Sequence, residues 1–139
     1  MMTHLDRLLQ WYGALDRASL ERIDEFYAAE SLFKDPFNDI KGIRSIRRIF
    51  EHMFETTEDP RFVILESMGQ GDQGFATWRF EFSLKGRAYT VLGATHFRFD
   101  AAGLVTEHRD YWDAAEELWQ KLPLIGGPVK WLRGKFRAA

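Results

Sequence analysis

The chain has 139 residues, of which 45% are hydrophobic and 15% aromatic, a formal net charge of −2 and no cysteine. That length suits one domain with a core of its own, and the missing cysteine excludes disulfide scaffolds, thiol catalysis and cysteine-zinc sites. A balance so close to neutral gives no general attraction to nucleic acid, and no apolar run is long enough for stable membrane insertion.

Met-Met-Thr-His-Leu-Asp at the start lacks a basic stretch leading into an apolar one, so a cytoplasmic location is expected. Leu5, Leu8, Leu9, Tyr12 and Leu15 then recur at helical spacing, which predicts an amphipathic helix over 4–16. Ser19 reads as the N-cap of a second short helix that buries Leu20, Ile23, Phe26 and Tyr27. A brief extended segment, 31–34, stops at Asp35-Pro36, because proline disfavours the helical conformation in the residue before it. Gly42 precedes a third helix with Ile43, Ile46, Phe50, Met53 and Phe54 on its apolar stripe and Arg44, Arg47 and Arg48 on the solvated side.

From Arg61 the period changes to two, predicting strands over 61–69, 74–84, 87–99 and 104–112. Trp78, Phe80, Phe82 and Leu84 share one face, with Thr77, Arg79, Glu81 and Ser83 opposite, the pattern of a half-buried antiparallel strand. Lys85-Gly86 signals a tight turn. On the next strand Tyr89, Val91, Gly93, Thr95, Phe97 and Phe99 fall together, and after the break at residues 100–103 His108, Asp110 and Trp112 share a face. Helices followed by four strands indicate an α+β domain, its helices on one face of a curved antiparallel sheet. Chain 1–139 reads as a single domain, with a core over about 4–113 and a C-terminal helical extension over 114–139.

Two chemical motifs fail on context. Gly69-Gln70-Gly71-Asp72-Gln73-Gly74 matches the glycine fingerprint of dinucleotide sites, yet a strand follows where that motif needs a helix N-terminus to meet the pyrophosphate. The glycines suit a hairpin loop, and no cofactor is expected. His4, His52, His96 and His108 show no local ligand spacing, so no metal site is expected.

Tyr12, Phe26-Tyr27-Ala28 running into Phe33-Lys34-Asp35-Pro36, Gly42 with Ile46, Gly86-Arg87, and His96-Phe97-Arg98-Phe99 followed by Ala102-Gly103 together resemble the nuclear-transport-factor-2-like superfamily. Within it, the ketosteroid isomerase and SnoaL-like polyketide cyclase branch is the nearest in pattern. The resemblance implies a cone-shaped sheet wrapped around N-terminal helices and an apolar pocket. It also implies a homodimer, a small hydrophobic partner molecule and cofactor-independent isomerisation or cyclisation. The same cone hosts isomerases, cyclases, hydrolases and non-catalytic proteins, so fold alone does not select a reaction. A carrier of a small hydrophobic ligand and a protein-interaction module are the alternatives.

Carried over position by position, Asp35 before Pro36 matches the isomerase base and Tyr12 matches the oxyanion donor on the first helix. The second oxyanion donor of the isomerases is a protonated Asp just before His-Phe-Arg-Phe; this chain has Thr95, whose hydroxyl donates a single hydrogen bond. A carboxylate at the edge of a cone lined by Trp78, Phe80, Phe82 and Phe97 suits proton removal next to a carbonyl. Asp before Pro equally serves as a turn residue bonding its own backbone. His108, Asp110 and Trp112 occupy positions that face the cavity in the isomerases, so Asp110, with His108 beside it, is a second candidate base. The alternative for that pair is a structural hydrogen-bond network.

The tail departs from the isomerase pattern. A helix over 114–121 carries Leu118 and Trp119, residues 122–128 break it, and 129–137 resume with Trp131, Leu132 and Phe136 among Lys130, Arg133, Lys135 and Arg137. Such a basic amphipathic end can rest on an anionic membrane; its shortness favours a lid over its own cone or a contact with a partner subunit.

Overall fold

The computed structural model describes residues 2–122 and 125–137. Helix α1, His4–Gly13, begins in a capping box. Thr3 Oγ1 accepts from the Asp6 N–H at 3.0 Å, and Asp6 Oδ2 accepts from the Thr3 N–H at 3.1 Å. These bonds satisfy two backbone donors that a helix start leaves without partners. Leu5, Leu8, Leu9 and Tyr12 are buried as expected, and Trp11 joins them, stacked on Phe26. The helix stops at Gly13, short of the predicted residue 16, and Leu15 is buried from the loop beyond it.

The second predicted helix is a 3-10 helix, Ser19–Glu25, and Ser19 is not its N-cap. Ser19 instead exchanges hydrogen bonds with Asp16, its N–H donating to Oδ1 at 2.7 Å and its Oγ accepting from the Asp16 N–H at 2.9 Å. Tyr27 lies outside that helix and opens strand β1, Tyr27–Lys34. After the turn at Asp35-Pro36 comes a short strand the sequence pattern missed, β2, Asp39–Lys41. Gly42, at φ 102°, leads into α2, Ile43–Thr56. That left-handed backbone favours glycine and turns the chain from sheet to helix.

Four long strands follow: β3, Glu58–Gln70; β4, Gln73–Leu84; β5, Arg87–Phe99; and β6, Val105–Tyr111. The glycine motif is a hairpin, since Gln70 and Gln73 pair across it. The six strands make one curved, unclosed sheet in the order β2-β1-β6-β5-β4-β3. It is mixed where the sequence suggested purely antiparallel, because β1 runs parallel to β6 with Phe33 opposite His108. That pairing brings the segment after the first helices beside the last strand.

One core cluster joins α1 and the 3-10 helix to Ile46 and Phe50 of α2 and to the inner faces of β1, β5 and β6. A second consists of Trp78, Phe82, Tyr89 and Val91, with Leu118 and Leu122 packed against it. Arg47 and Arg48 stay off the buried stripe and pair with Glu21 and Glu55.

The tail contains α3, Ala114–Glu117, a 3-10 turn, Trp119–Lys121, and α4, Gly126–Lys135. The final helix thus starts before the predicted residue 129 and includes Pro128 in its first turn, where a missing N–H costs nothing. Pro123 and Leu124 of the predicted break lie outside the described residues. Beyond the end of β6, Glu117 Oε1 accepts from the Leu92 N–H at 2.8 Å and Lys121 Nζ donates to the Thr90 carbonyl at 2.8 Å. Two side chains one helical turn apart therefore satisfy the edge of β5 that β6 leaves open.

Candidate active site

Strand alternation sends Thr95 and Phe97 of β5, and His108 and Asp110 of β6, to the inner face, and the register sets them opposite one another in pairs. Thr95 faces Asp110 and Phe97 faces His108, at the cross-strand distance where side chains interact directly. Asp110 Oδ1 accepts from Thr95 Oγ1 at 2.5 Å and from His108 Nε2 at 2.7 Å. His108 Nδ1 lies 2.7 Å from the Tyr27 hydroxyl. Trp78 Nε1 donates to Thr95 Oγ1 at 2.8 Å.

The donors and acceptors in this chain have one consistent order. A carboxylate only accepts, so Nε2 carries a hydrogen; in the neutral imidazole Nδ1 then accepts, and the Tyr27 O–H donates to it. An indole only donates, so Thr95 accepts from Trp78 and directs its single hydrogen at Asp110. Thr95 therefore has no hydrogen left for an oxyanion, the role its position suggested by resemblance. Among the described residues Asp110 Oδ2 has no hydrogen-bond partner, and the side chain keeps 11% of its surface open.

Asp110 lines a cavity of about 230 Å³ between α1, α2 and the sheet. Its walls are chiefly apolar: Trp78, Phe80 and Phe82 from β4, Phe33, Phe62 and Val91 from neighbouring strands, and Phe50 and Met53 from α2. Phe37, Trp112 and Leu118 also line it, and the Phe37 and Trp112 rings meet edge to face at 5.5 Å. Tyr12 enters from α1. Its hydroxyl has no hydrogen-bond partner among the described residues. Burial first, and then electrostatic coupling to Tyr27, Asp110 and Asp35, holds its pKa well above the usual tyrosine range. It stays a donor. Burial and then Asp110 raise Tyr27 in the same way.

Of the residues singled out from sequence, Tyr12, Asp35, Trp78, Phe80, Phe82, Asp110 and Trp112 line the cavity. Phe97 does not: it is buried in the core with its edge against the His108 ring, 5.1 Å between centroids. His108 is fully buried beneath the cavity, stacked on Phe33 at 4.4 Å, and reaches the cavity only through Asp110. Asp35 is tied to its own turn. Oδ1 accepts from the N–H groups of Phe37 and Asn38 at 2.8 and 2.6 Å, and the Asn38 amide reaches both oxygens at 3.1 and 3.2 Å.

Sequence reasoning missed Tyr27 as a member of the site, because helical spacing placed it in the preceding helix. It also missed His52, Thr56 and Thr57, which bring polar groups from α2 and its end to the rim. Nothing in their local pattern distinguishes them from solvated helix residues. Among the described residues no group of three or more His, Asp or Glu side chains is arranged to hold a metal ion.

A curved, unclosed sheet with helices packed over its inner face and an apolar cavity between them is the architecture of the cone-shaped α+β proteins. This chain matches the SnoaL-like domain family over residues 8–108 and belongs to it. No curated protein matches it by sequence. Solved structures share the fold. One is assigned as a SnoaL-like polyketide cyclase from Shewanella putrefaciens CN-32, with TM-score 0.70 and 20% identity, over 85% of this chain and 97% of that one. Another is RV0760c from Mycobacterium tuberculosis, solved with estradiol-17beta-hemisuccinate, with TM-score 0.69 and 18% identity, over 81% of this chain and 95% of that one. An M. tuberculosis LEH-like epoxide hydrolase aligns with TM-score 0.71 and 16% identity, over 98% of this chain and 94% of that one.

Proposed function

We propose that this chain removes a proton next to the carbonyl of a small hydrophobic ketone, without a cofactor, and that Asp110 is the base. The observation that carries this reading is the division of labour within one carboxylate. Oδ1 is held by Thr95 and His108, Oδ2 has no partner among the described residues, and the side chain lines the apolar cavity. In the reaction Oδ2 takes a proton from the carbon beside the carbonyl, and the C–H electron pair moves into the enolate. The Tyr12 hydroxyl donates a hydrogen bond to the enolate oxygen. Return of the same proton to a different carbon isomerises the substrate. Attack of the enolate carbon on a second carbonyl, with protonation of the new alkoxide by Asp110, cyclises it.

Thr95, His108 and Tyr27 are positioning residues in this scheme, orienting Asp110 as the third group of a triad orients its base. Trp78, Phe80, Phe82 and Trp112 form the substrate walls, and Phe97 supports His108 from below. Asp35 holds the turn at the rim. The cavity volume lies just under the usual range for drug-sized ligands, which favours a compact substrate. The SnoaL-like polyketide cyclase assignment of one structural relative and the steroid ester bound to another fit an acid-base site for a flat apolar molecule. We also propose a homodimer through the outer sheet face, where Leu32, Phe75, Leu92 and Tyr111 are exposed; sedimentation velocity of the wild type and of Tyr111→Lys tests it.

The test of the chemistry is solvent-deuterium incorporation into a panel of steroid-like and polyketide-like ketones. Wild type should catalyse exchange and Asp110→Asn should not. Binding of those ketones without exchange, equal in wild type and Asp110→Asn, would instead mark a carrier of hydrophobic ligands.

A further inference from the structure

Residues 126–137 contain Lys130, Arg133, Lys135 and Arg137 and no acidic residue, in a chain whose net charge is −2. Along α4 the advance of about 100° per residue sets Ile125, Leu132 and Phe136 on one side, because separations of seven and four return close to the same direction. Trp131 projects about 100° round the helix from Leu132, on an adjacent flank. These side chains are exposed, Trp131 by 65%, Leu132 by 55% and Phe136 by 83%. One exposed apolar residue is ordinary, but a contiguous group on a single helix marks an interaction surface.

The flank about 100° from Leu132, away from Trp131, meets the protein: Gly126 is buried, and Arg133 pairs with Glu116 at 3.6 Å. The preceding turn is anchored as well. Arg87 donates to the Lys121 carbonyl at 3.0 Å, and Leu118 and Leu122 pack on the second core cluster. The exposed apolar side chains of α4 are thus displayed from a fixed base. Lys135 Nζ sits 4.8 Å from the Trp131 ring centroid, joining a cation to the aromatic edge of the patch.

We propose that α4 docks this protein on an anionic lipid surface. Charge selects this occupant. Lys130, Lys135 and Arg137 stand among the exposed Trp131, Leu132 and Phe136, with no carboxylate on the helix to repel phosphate. Trp and Phe suit the boundary between headgroups and acyl chains, and Lys and Arg stems lie along it with their charges in the headgroup layer. The contact is peripheral, because ten residues of helix extend only about 15 Å against a hydrocarbon core of about 30 Å. Among the described residues no helix is long and apolar enough to cross a membrane.

The experiment is co-sedimentation of the full chain with phosphatidylcholine vesicles and with vesicles of phosphatidylcholine mixed with phosphatidylglycerol, at low and high salt. Binding should require the anionic lipid and weaken with salt. Lys130→Gln, Lys135→Gln and Arg137→Gln should each lower partitioning by about fivefold. Trp131→Ser with Phe136→Ser should abolish binding while circular dichroism stays unchanged, since both side chains are exposed. Asp110→Asn should bind vesicles like wild type, which separates this surface from the proposed chemistry. The proposal is overturned if wild type stays in the supernatant with anionic vesicles at low salt. It is equally overturned if the double variant binds as well as wild type, or if that variant turns a dimer into a monomer, which would make the patch a contact between two copies.

Discussion

Trp78 packs against Gly93, its register partner on β5, so closely that a Cβ at position 93 would overlap Cη2, Cζ2 and Cζ3 of the indole. The missing side chain lets the ring sit where Nε1 reaches Thr95, and through Thr95 the ring helps to set Asp110. Gly93→Ala should therefore do more than remove backbone freedom. Overpacking of this kind costs about 1–3 kcal/mol, and the displaced indole loses its bond to Thr95. A urea midpoint lowered to match, with an altered near-ultraviolet circular dichroism spectrum, is the expected result; an unchanged spectrum would mean the ring has room to move.

Asp110→Asn keeps an oxygen that accepts from Thr95 and His108 and removes only the basic carboxylate. The fold should persist while deuterium exchange falls by about 10²–10⁴, the usual contribution of a positioned base. Asp35→Asn should leave exchange within a few-fold of wild type, because Oδ1 of Asp35 serves its own turn. The reverse pattern would transfer the base to Asp35.

Tyr12→Phe retains the ring that packs on Phe62 and Phe50 and deletes a hydroxyl without a hydrogen-bond partner among the described residues. Stability should change little. Loss of an oxyanion donor lowers kcat by about 10²–10³, with a smaller effect on KM. An unchanged kcat would remove Tyr12 from the mechanism.

Alkaline stability follows from the two raised phenols. Burial comes first among the causes for both Tyr12 and Tyr27, followed by nearby negative charge. In the unfolded chain each loses its proton near pH 10, whereas the folded protein keeps it. Above that pH the unfolded state binds fewer protons, so stability falls, by up to about 1.4 kcal/mol per pH unit for each tyrosine. Below it these groups add no pH dependence. Urea titrations above pH 10 should show this slope, and Tyr27→Phe should remove about half of it.

Much of this protein was legible without coordinates because period reports face. Alternation from residue 74 onward sends Trp78, Phe80, Thr95, His108 and Asp110 inward whatever they pair with. The family motifs ordered those strands around the first helices. Local pattern is blind to what depends on distant partners. Tyr27 follows helical spacing from Ile23, yet it is the first residue of β1 because Val105 and β6 are there to pair with it.

Composition and periodicity by themselves determined the α+β class and the inward faces, and the family resemblance carried over the candidate set Tyr12, Asp35, Thr95, His108 and Asp110. Those properties belong to single strands and helices, whose geometry repeats along the chain. Only the tertiary structure decided how the set divides. It placed Thr95 opposite Asp110, tied Asp35 to its turn, sank Phe97 and His108 beneath the cavity and left one oxygen of Asp110 open. Register and burial come from contacts between elements far apart in sequence, and a hydrogen bond forms or is absent on the scale of an ångström, which no spacing along one strand encodes.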